Sequence, residues 1–255
     1  MKVHPIRTGE TNIMYLVEGG NGELALIDPA DPIEIEKAVQ KICPRPSSII
    51  VLTTHHHSDH SAGNASVKEM FPSCEIYAGS ARAFHTKICQ DGEVIRMGGV
   101  AIRCIHTPCH TMDSFSFYFE HSGERAVFTG DTLFYLGCGR FTEGTAEMME
   151  ASLRKIASLP PETKAYYGHD YRESNMRFRR TLSEDPEACH PEAGIFLTVE
   201  QEKEHNLFVN TERLSARAEF AELSPTERLS LVRRMKDAFN VQDSAAAHGR
   251  AAAHK

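Results

Sequence analysis

The run Thr54-His55-His56-His57-Ser58-Asp59-His60 gathers four imidazoles and a carboxylate into one short stretch. On an extended backbone, side chains two residues apart point the same way. His55 and His57 can therefore converge on one cation while His56 faces elsewhere, and Asp59 and His60 follow where the chain bends back towards the same cavity. Neutral imidazoles and carboxylates are the ligands that borderline divalent metals such as zinc and ferrous iron accept. Three further segments place a ligand type after a short strand pattern: Thr107-Pro108-Cys109-His110, Thr129-Gly130-Asp131 and Tyr167-Gly168-His169. His55, His57, Asp59, His60, His110, Asp131 and His169 exceed the roughly three ligands that one open site needs. They suit two ions with one carboxylate shared, and cations about 3.5–4 Å apart can ionise a water between them near neutral pH. Cys109, beside His110, is passed over as a ligand because seven better placed groups exist.

These residues require strands that end at one edge. Ser48–Thr54 (SIIVLTT) is β-branched and apolar and reads as a central strand running into the histidines. Asn12–Glu18 reads as a half-buried strand, and Glu23–Asp28, Cys74–Ala78, Val100–Ile105, Arg125–Thr129 and Lys164–Tyr167 as further strands. Ser114–Phe119 puts Phe115, Phe117 and Phe119 on one side, as a sheet core does. Pro32–Ile42, Val67–Phe71 and Ala146–Leu159 have helical spacing. Beyond Asp170 the pattern turns helical, over Asn175–Leu182, Val199–Asn206 and Thr226–Phe239. The expected organisation is a catalytic domain over residues 1–170, a helical domain over 171–244 and a disordered tail over 245–255, whose His248 and His254 take no part in the chemistry.

The composition narrows the function. With 28 Lys+Arg against 35 Asp+Glu the formal charge is −7, which argues against a nucleic-acid binder with a broad basic surface. Hydrophobic residues at 41% supply a real core. The chain has no run approaching a membrane span and no apolar signal stretch after Met1. Seven scattered cysteines without a C-x-x-C spacing exclude a disulfide scaffold and point to a reducing compartment. A cytoplasmic monomer acting on a small molecule, without nucleic-acid or membrane partners, is the expectation.

Four stretches together resemble the metallo-β-lactamase superfamily and, within it, the glyoxalase II (hydroxyacylglutathione hydrolase) family. They are THHHSDHSAGN at Thr54–Asn64, TPCHT at Thr107–Thr111, FTGDTLFYLGCGRFTEGTAEMM at Phe128–Met149 and YGHDYRESNMRF at Tyr167–Phe178. The first marks only the superfamily; GCGRF-x-EGTA points to the hydrolase. The resemblance implies an α/β fold, a four-layer αββα sandwich followed by a helical C-terminal domain. It implies two divalent ions, zinc first and iron or manganese as alternatives. His55, His57 and His110 would hold one, Asp59, His60 and His169 the other, and Asp131 would bridge; Asp59 and Asp131 are the expected catalytic carboxylates. The implied reaction is hydrolysis of S-D-lactoylglutathione to D-lactate and glutathione, the second step of methylglyoxal detoxification.

For the substrate, Arg140 takes the position of a basic residue that contacts the glycine carboxylate of glutathione, and a guanidinium can pair a carboxylate bidentately. Tyr171 resembles a tyrosine that hydrogen-bonds the peptide. Thr142 stands where many members carry Tyr. Asn206-Leu207-Phe208-Val209-Asn210 resembles N-P-F-(L/M)-R with Asn210 in place of the arginine, for which Arg213 or Arg217 would compensate. These departures bear on recognition of the thiol half and leave the metal ligands untouched. Asp28, Cys138 and Asn175 are the expected partners of the ligand side chains, because metal-bound imidazoles donate their other N–H to such groups. A rival reading is a mono-iron glutathione persulfide dioxygenase of the same superfamily, which would use His55, His110 and Asp131 as a facial triad.

Overall fold

In the computed structural model, which describes residues 1–182 and 196–252, the chain forms two six-stranded sheets. The first runs β1 (Lys2–Thr8), β2 (Asn12–Glu18), β3 (Glu23–Ile27), β4 (Ser48–Leu52), β5 (Glu75–Ala78) and β6 (Lys87–Ile88) in spatial order. Its first three strands are antiparallel; β3 to β6 are parallel. The second sheet is an antiparallel meander of β7 (Val94–Met97), β8 (Val100–His106), β9 (Phe115–His121) and β10 (Glu124–Phe128). A separate hairpin, β11 (Leu133–Phe134) and β12 (Gly137–Cys138), follows. β13 (Lys164–Tyr166) then joins β10 in parallel, and β14 (Leu197–Thr198) pairs antiparallel with β13.

Alternation along the strands sorts side chains into separate cores. Ile13, Tyr15 and Val17 of β2 face Phe117, Phe119 and Phe128 of the second sheet, forming the core between the sheets. Met14 and Leu16, one residue out of phase, turn outward onto Ile35 and Val39 of α1 (Pro32–Ile42) and Val67 beyond α2 (Ser58–Ser61), in α3 (Asn64–Met70). Across the second sheet, Tyr118, Val127 and Ala165 pack on Met149, Leu153 and Ile156 of α4 (Ala146–Ala157). The same cluster takes in Phe178 of α5 (Arg172–Leu182), Val199 of α6 (Val199–His205) and Leu229 and Val232 of α7 (Pro225–Ala252). Three interfaces between four layers, helix–sheet–sheet–helix, give the expected αββα sandwich.

Local signals start several helices. Asp31 accepts from Ile33 and Glu34 N–H groups ahead of Pro32, and Thr198 with Gln201 forms a capping box at α6.

The structure departs from the sequence reading in four places. β2 is buried on both faces because helices cover the outer side of its sheet. β1 carries no expectation in the sequence pattern; Pro5 interrupts it, which an edge strand tolerates. The region after residue 170 is not purely helical, since β14 extends the second sheet. Helix α7 continues to Ala252, across most of the stretch expected to be a disordered tail; alanine is the strongest helix former. Residues 253–255, with His254, lie outside the described residues, as does Cys189; the six described cysteines are free. Among the described residues no helix is long and apolar enough to cross a membrane.

Candidate metal centre and substrate pocket

The seven candidate ligands all lie just beyond the C-terminal ends of strands: the histidine run after β4, His110 after β8, Asp131 after β10 and His169 after β13. Because β4 belongs to one sheet and the others to the second, the site straddles the top of the sandwich. Gly130 makes the turn into Asp131 with φ at +49°, and a Cβ there would lie 2.3 Å from Thr54 Oγ1, so glycine is required on two counts.

Two groups of nitrogens and oxygens converge. In one, His57 Nδ1 is 3.0 Å from His55 Nε2 and 3.1 Å from His110 Nε2. In the other, His169 Nε2 is 3.3 Å from His60 Nε2 and 3.4 Å from Asp59 Oδ2. Asp131 reaches both: Oδ2 is 3.5 Å from His110 Nε2, and Oδ1 is 3.3 Å from His60 Nε2 and 3.5 Å from His169 Nε2. Asp131 Oδ1 is buried yet accepts no hydrogen bond. A buried carboxylate oxygen without a donor is costly unless a cation takes its lone pair. The donor set of imidazoles and carboxylates fits divalent metal. His56 faces away, its Nδ1 2.7 Å from Asp113 Oδ1, as the alternation requires.

In four of the five imidazoles the second ring nitrogen is tied from behind. His60 Nδ1 donates to Asp28 Oδ2 at 2.9 Å, and Thr54 donates to Asp28 from both its N–H and its hydroxyl, at 2.6 and 2.7 Å. His55 Nδ1 lies 3.1 Å from Thr54 Oγ1, His110 Nδ1 donates to the Arg140 carbonyl at 3.1 Å, and His169 Nδ1 is 3.2 Å from Thr11 Oγ1. Asp28 thus orients His55 through Thr54 and His60 directly. We expect Asp28→Ala to weaken metal retention and activity by about tenfold, read by metal content after dialysis and by turnover.

Electrostatics follow the geometry. Burial, reinforced by His60, pushes the His55 imidazole well below its ordinary value, and burial and His110 lower His57, so both are neutral lone-pair donors. His60 goes the other way: burial opposes its charge, but Asp131 and Asp28 outweigh it and raise the imidazole. Asp131 is held far below the carboxylate range despite its burial, by His60 and then His169. The hydrogen bond from His169 lowers Asp59.

A cavity of about 510 Å³ opens from these residues towards α5 and α7. Arg140, Tyr171, Arg233 and Lys236 line it. Tyr171 stacks on His169 with ring planes 12° apart. Arg140 is exposed and reaches Asp237 Oδ1 at 3.4 Å, the same oxygen that accepts from Arg233 Nη2 at 3.0 Å. Lys236 Nζ donates to Ser174 Oγ at 2.8 Å.

Five expected roles are corrected. Arg213, in the 3-10 turn Thr211–Leu214, donates to the Glu204 carbonyl at 2.6 Å, and Arg217, just beyond that turn, pairs with Glu219; neither lines the pocket. Thr142 Oγ1 sits 3.5 Å from His110 Nδ1, the ring nitrogen that points away from the donor cluster, and does not line the cavity. Cys138 offers its carbonyl to Arg233 at 2.8 Å, and Asn175 donates to the Tyr135 carbonyl at 2.9 Å, so both act on the pocket wall and not on a histidine. Arg233 and Lys236 were missed. Their signal was the spacing of Arg233, Lys236 and Asn240 along one face of α7, all three lining the cavity.

Comparison with known proteins gives concordant findings. The family model described as the metallo-beta-lactamase superfamily matches residues 7–88 and 89–169. A probable hydroxyacylglutathione hydrolase of Schizosaccharomyces pombe is 36% identical over 239 residues, covering 89% of this chain and 93% of its own. The cytoplasmic hydroxyacylglutathione hydrolase of Arabidopsis thaliana is 34% identical, over 93% of this chain and 98% of its own. Among solved structures, ETHE1 from Myxococcus xanthus superposes with a TM-score of 0.65 at 24% identity, over 92% of this chain and 97% of that one, a likeness of fold.

Proposed function

The chain belongs to the metallo-β-lactamase superfamily and, within it, to the hydroxyacylglutathione hydrolases, and on that footing we propose that it hydrolyses S-D-lactoylglutathione to D-lactate and glutathione. The observation that carries the reading is Asp131, whose two oxygens face two separate clusters of donors beside a basic cavity. His55, His57 and His110 would hold one divalent ion, and Asp59, His60 and His169 a second, with Asp131 common to both and zinc the first choice over iron or manganese. When bound, such a pair supplies a water ionised near neutral pH and a Lewis acid for the thioester carbonyl.

The protein's own groups do the rest. Asp28 fixes the imidazoles of His55 and His60, so the donor set is arranged before substrate arrives. Arg140, Arg233 and Lys236 make one end of the cavity cationic, which suits the carboxylates of glutathione. Tyr171, stacked on His169, forms the part of the cavity wall along which the peptide would run. The C–S bond breaks to release a thiol of pKa about 8.5, which needs no strong general acid. The dioxygenase alternative would employ only His55, His110 and Asp131 and leave Asp59, His60 and His169 without work.

The test is steady-state hydrolysis of thioesters that differ in the thiol half. Glutathione thioesters should be preferred, and Arg140→Ala and Arg233→Met should each raise KM about tenfold with kcat little changed. Equal turnover of thioesters lacking both glutathione carboxylates would refute the thiol half of the proposal. Metal stoichiometry near two, without O₂ uptake, distinguishes the hydrolase from the dioxygenase.

A further inference from the structure

The β11–β12 hairpin spans the interval between Asp131 and Arg140, and side chains from the helical region hold its tip. Asn175 donates to the Tyr135 carbonyl at 2.9 Å, Asn206 to the Gly137 carbonyl at 3.1 Å and Arg233 to the Cys138 carbonyl at 2.8 Å. Leu136 is in the left-handed region at φ 51°, which a non-glycine residue adopts only when its surroundings enforce it. Its N–H points at Glu202 Oε1, 3.3 Å away.

Glu202, on α6, is 2% exposed and central to this arrangement. Oε1 also accepts from the Tyr167 hydroxyl at 2.6 Å, and Oε2 accepts from Asn206 Nδ2 at 2.7 Å. The three partners are neutral donors. Leu133 of the hairpin, Leu153 and Ile156 of α4, and Val199 border the same small void. The titratable groups facing Glu202 are Tyr167, with Tyr135 behind it at 6.1 Å between ring centroids, and Lys203, which borders the void from an exposed position. Burial pushes the Glu202 carboxyl up to about 7 against the pull of Tyr167, Asn206 and the Leu136 N–H.

Because all three partners donate, the ionised carboxylate satisfies each of them. A protonated carboxyl turns one oxygen into a donor that faces a donor, which weakens the arrangement. On Oε1 the proton opposes Leu136, which leads into Arg140, and Tyr167, which leads into His169; on Oε2 it opposes Asn206, which also holds the Gly137 carbonyl of the hairpin.

We propose that Glu202 is a positioning residue whose carboxylate, the common acceptor for Leu136 and Tyr167, sets both the hairpin leading to the substrate pocket and the strand end leading to the metal site. The inference rests on the hydrolase reading above. It also carries a conflict: the form that best orders the site is the form that burial penalises.

The experiment is hydrolysis of S-D-lactoylglutathione by metal-loaded wild type, Glu202→Gln and Tyr167→Phe from about pH 5.5 to about pH 8.5, with Tm followed alongside. Wild-type KM should rise about tenfold as pH falls through about 7, with a smaller change in kcat. Glu202→Gln should hold the raised KM at every pH. Tyr167→Phe removes a donor that favours the ionised form, so its KM inflection should move to higher pH. The Tm arm needs no turnover. The folded-state pKa of Glu202 lies above its ordinary 4.5, so its stabilising contribution is full below 4.5 and lost as pH rises through about 7. The Tm of wild type should therefore fall relative to Glu202→Gln over that window. A Gln variant with wild-type KM at pH above about 8, or one that keeps the wild-type inflection, overturns the proposal. Should the Gln variant not fold, an unmoved inflection in Tyr167→Phe overturns it equally. Absence of thioester turnover by the wild type at any pH counts against the proposed function, while the Tm comparison still reports on Glu202.

Discussion

Replacing Asp131 with alanine is expected to lower thioester turnover by at least about 10³-fold and to leave the protein with fewer than two retained metals. The size follows from position. Among the described residues, Asp131 is the one carboxylate whose oxygens face both donor clusters, with Oδ2 3.5 Å from His110 and Oδ1 3.3 Å from His60. Alanine removes a shared ligand together with the charge that offsets His60 and His169. Five imidazoles would then face one another with Asp59 as the one carboxylate left among the seven candidate ligands. Asp131→Asn keeps the shape and one acceptor oxygen, so it should retain more metal than alanine while still losing most activity. Full activity with two tightly held ions in Asp131→Ala would sink the assignment of the bridge.

Gly168→Ala should be nearly as damaging, by more than about 10²-fold in turnover, although it adds only a methyl. A Cβ at Gly168 would stand 2.7 Å from His60 Cε1 and 2.8 Å from Asp131 Oδ1. These are contacts that real side chains do not make, and both neighbours are ring or carboxylate atoms of the centre itself. His60 cannot retreat, since Asp28 holds its other nitrogen. The methyl must therefore separate His60 from Asp131 or tilt His169. The prediction is checked by kcat and metal content together with circular dichroism. Native spectra with weakened metal binding are expected, and wild-type turnover in this variant would show that the approach is looser than described.

The convergence of the candidate ligands was legible because its information is local. Residue type and a two-residue alternation suffice to pair His55 with His57, and each further candidate ligand follows a recognisable strand. The three-phenylalanine stripe of β9 was legible for the same reason. The pocket wall was not. Arg233 and Lys236 look like the solvated face of an amphipathic helix until α7 is laid over the cavity, and nothing near them in sequence reveals the Cys138 carbonyl or Ser174 that they meet. Arg213 does not stand in for the missing arginine: it is near Asn210 in sequence but bonds the Glu204 carbonyl and does not line the pocket. Glu202 shows the same limit: in a short charged stretch it reads as surface, and its burial depends on Tyr167 and the hairpin arriving from other parts of the chain.

The short strand Leu197–Thr198 seals the flank of β13. Severing the polypeptide between the two expected domains would thus do more than discard helices. It would uncover a raw row of peptide N–H and C=O groups beside apolar surface, a template on which another molecule could add a strand. The region beyond residue 170 covers the flank of the second sheet as well as lining the cavity, and a shortened version of this protein would be prone to self-association before it was merely slow.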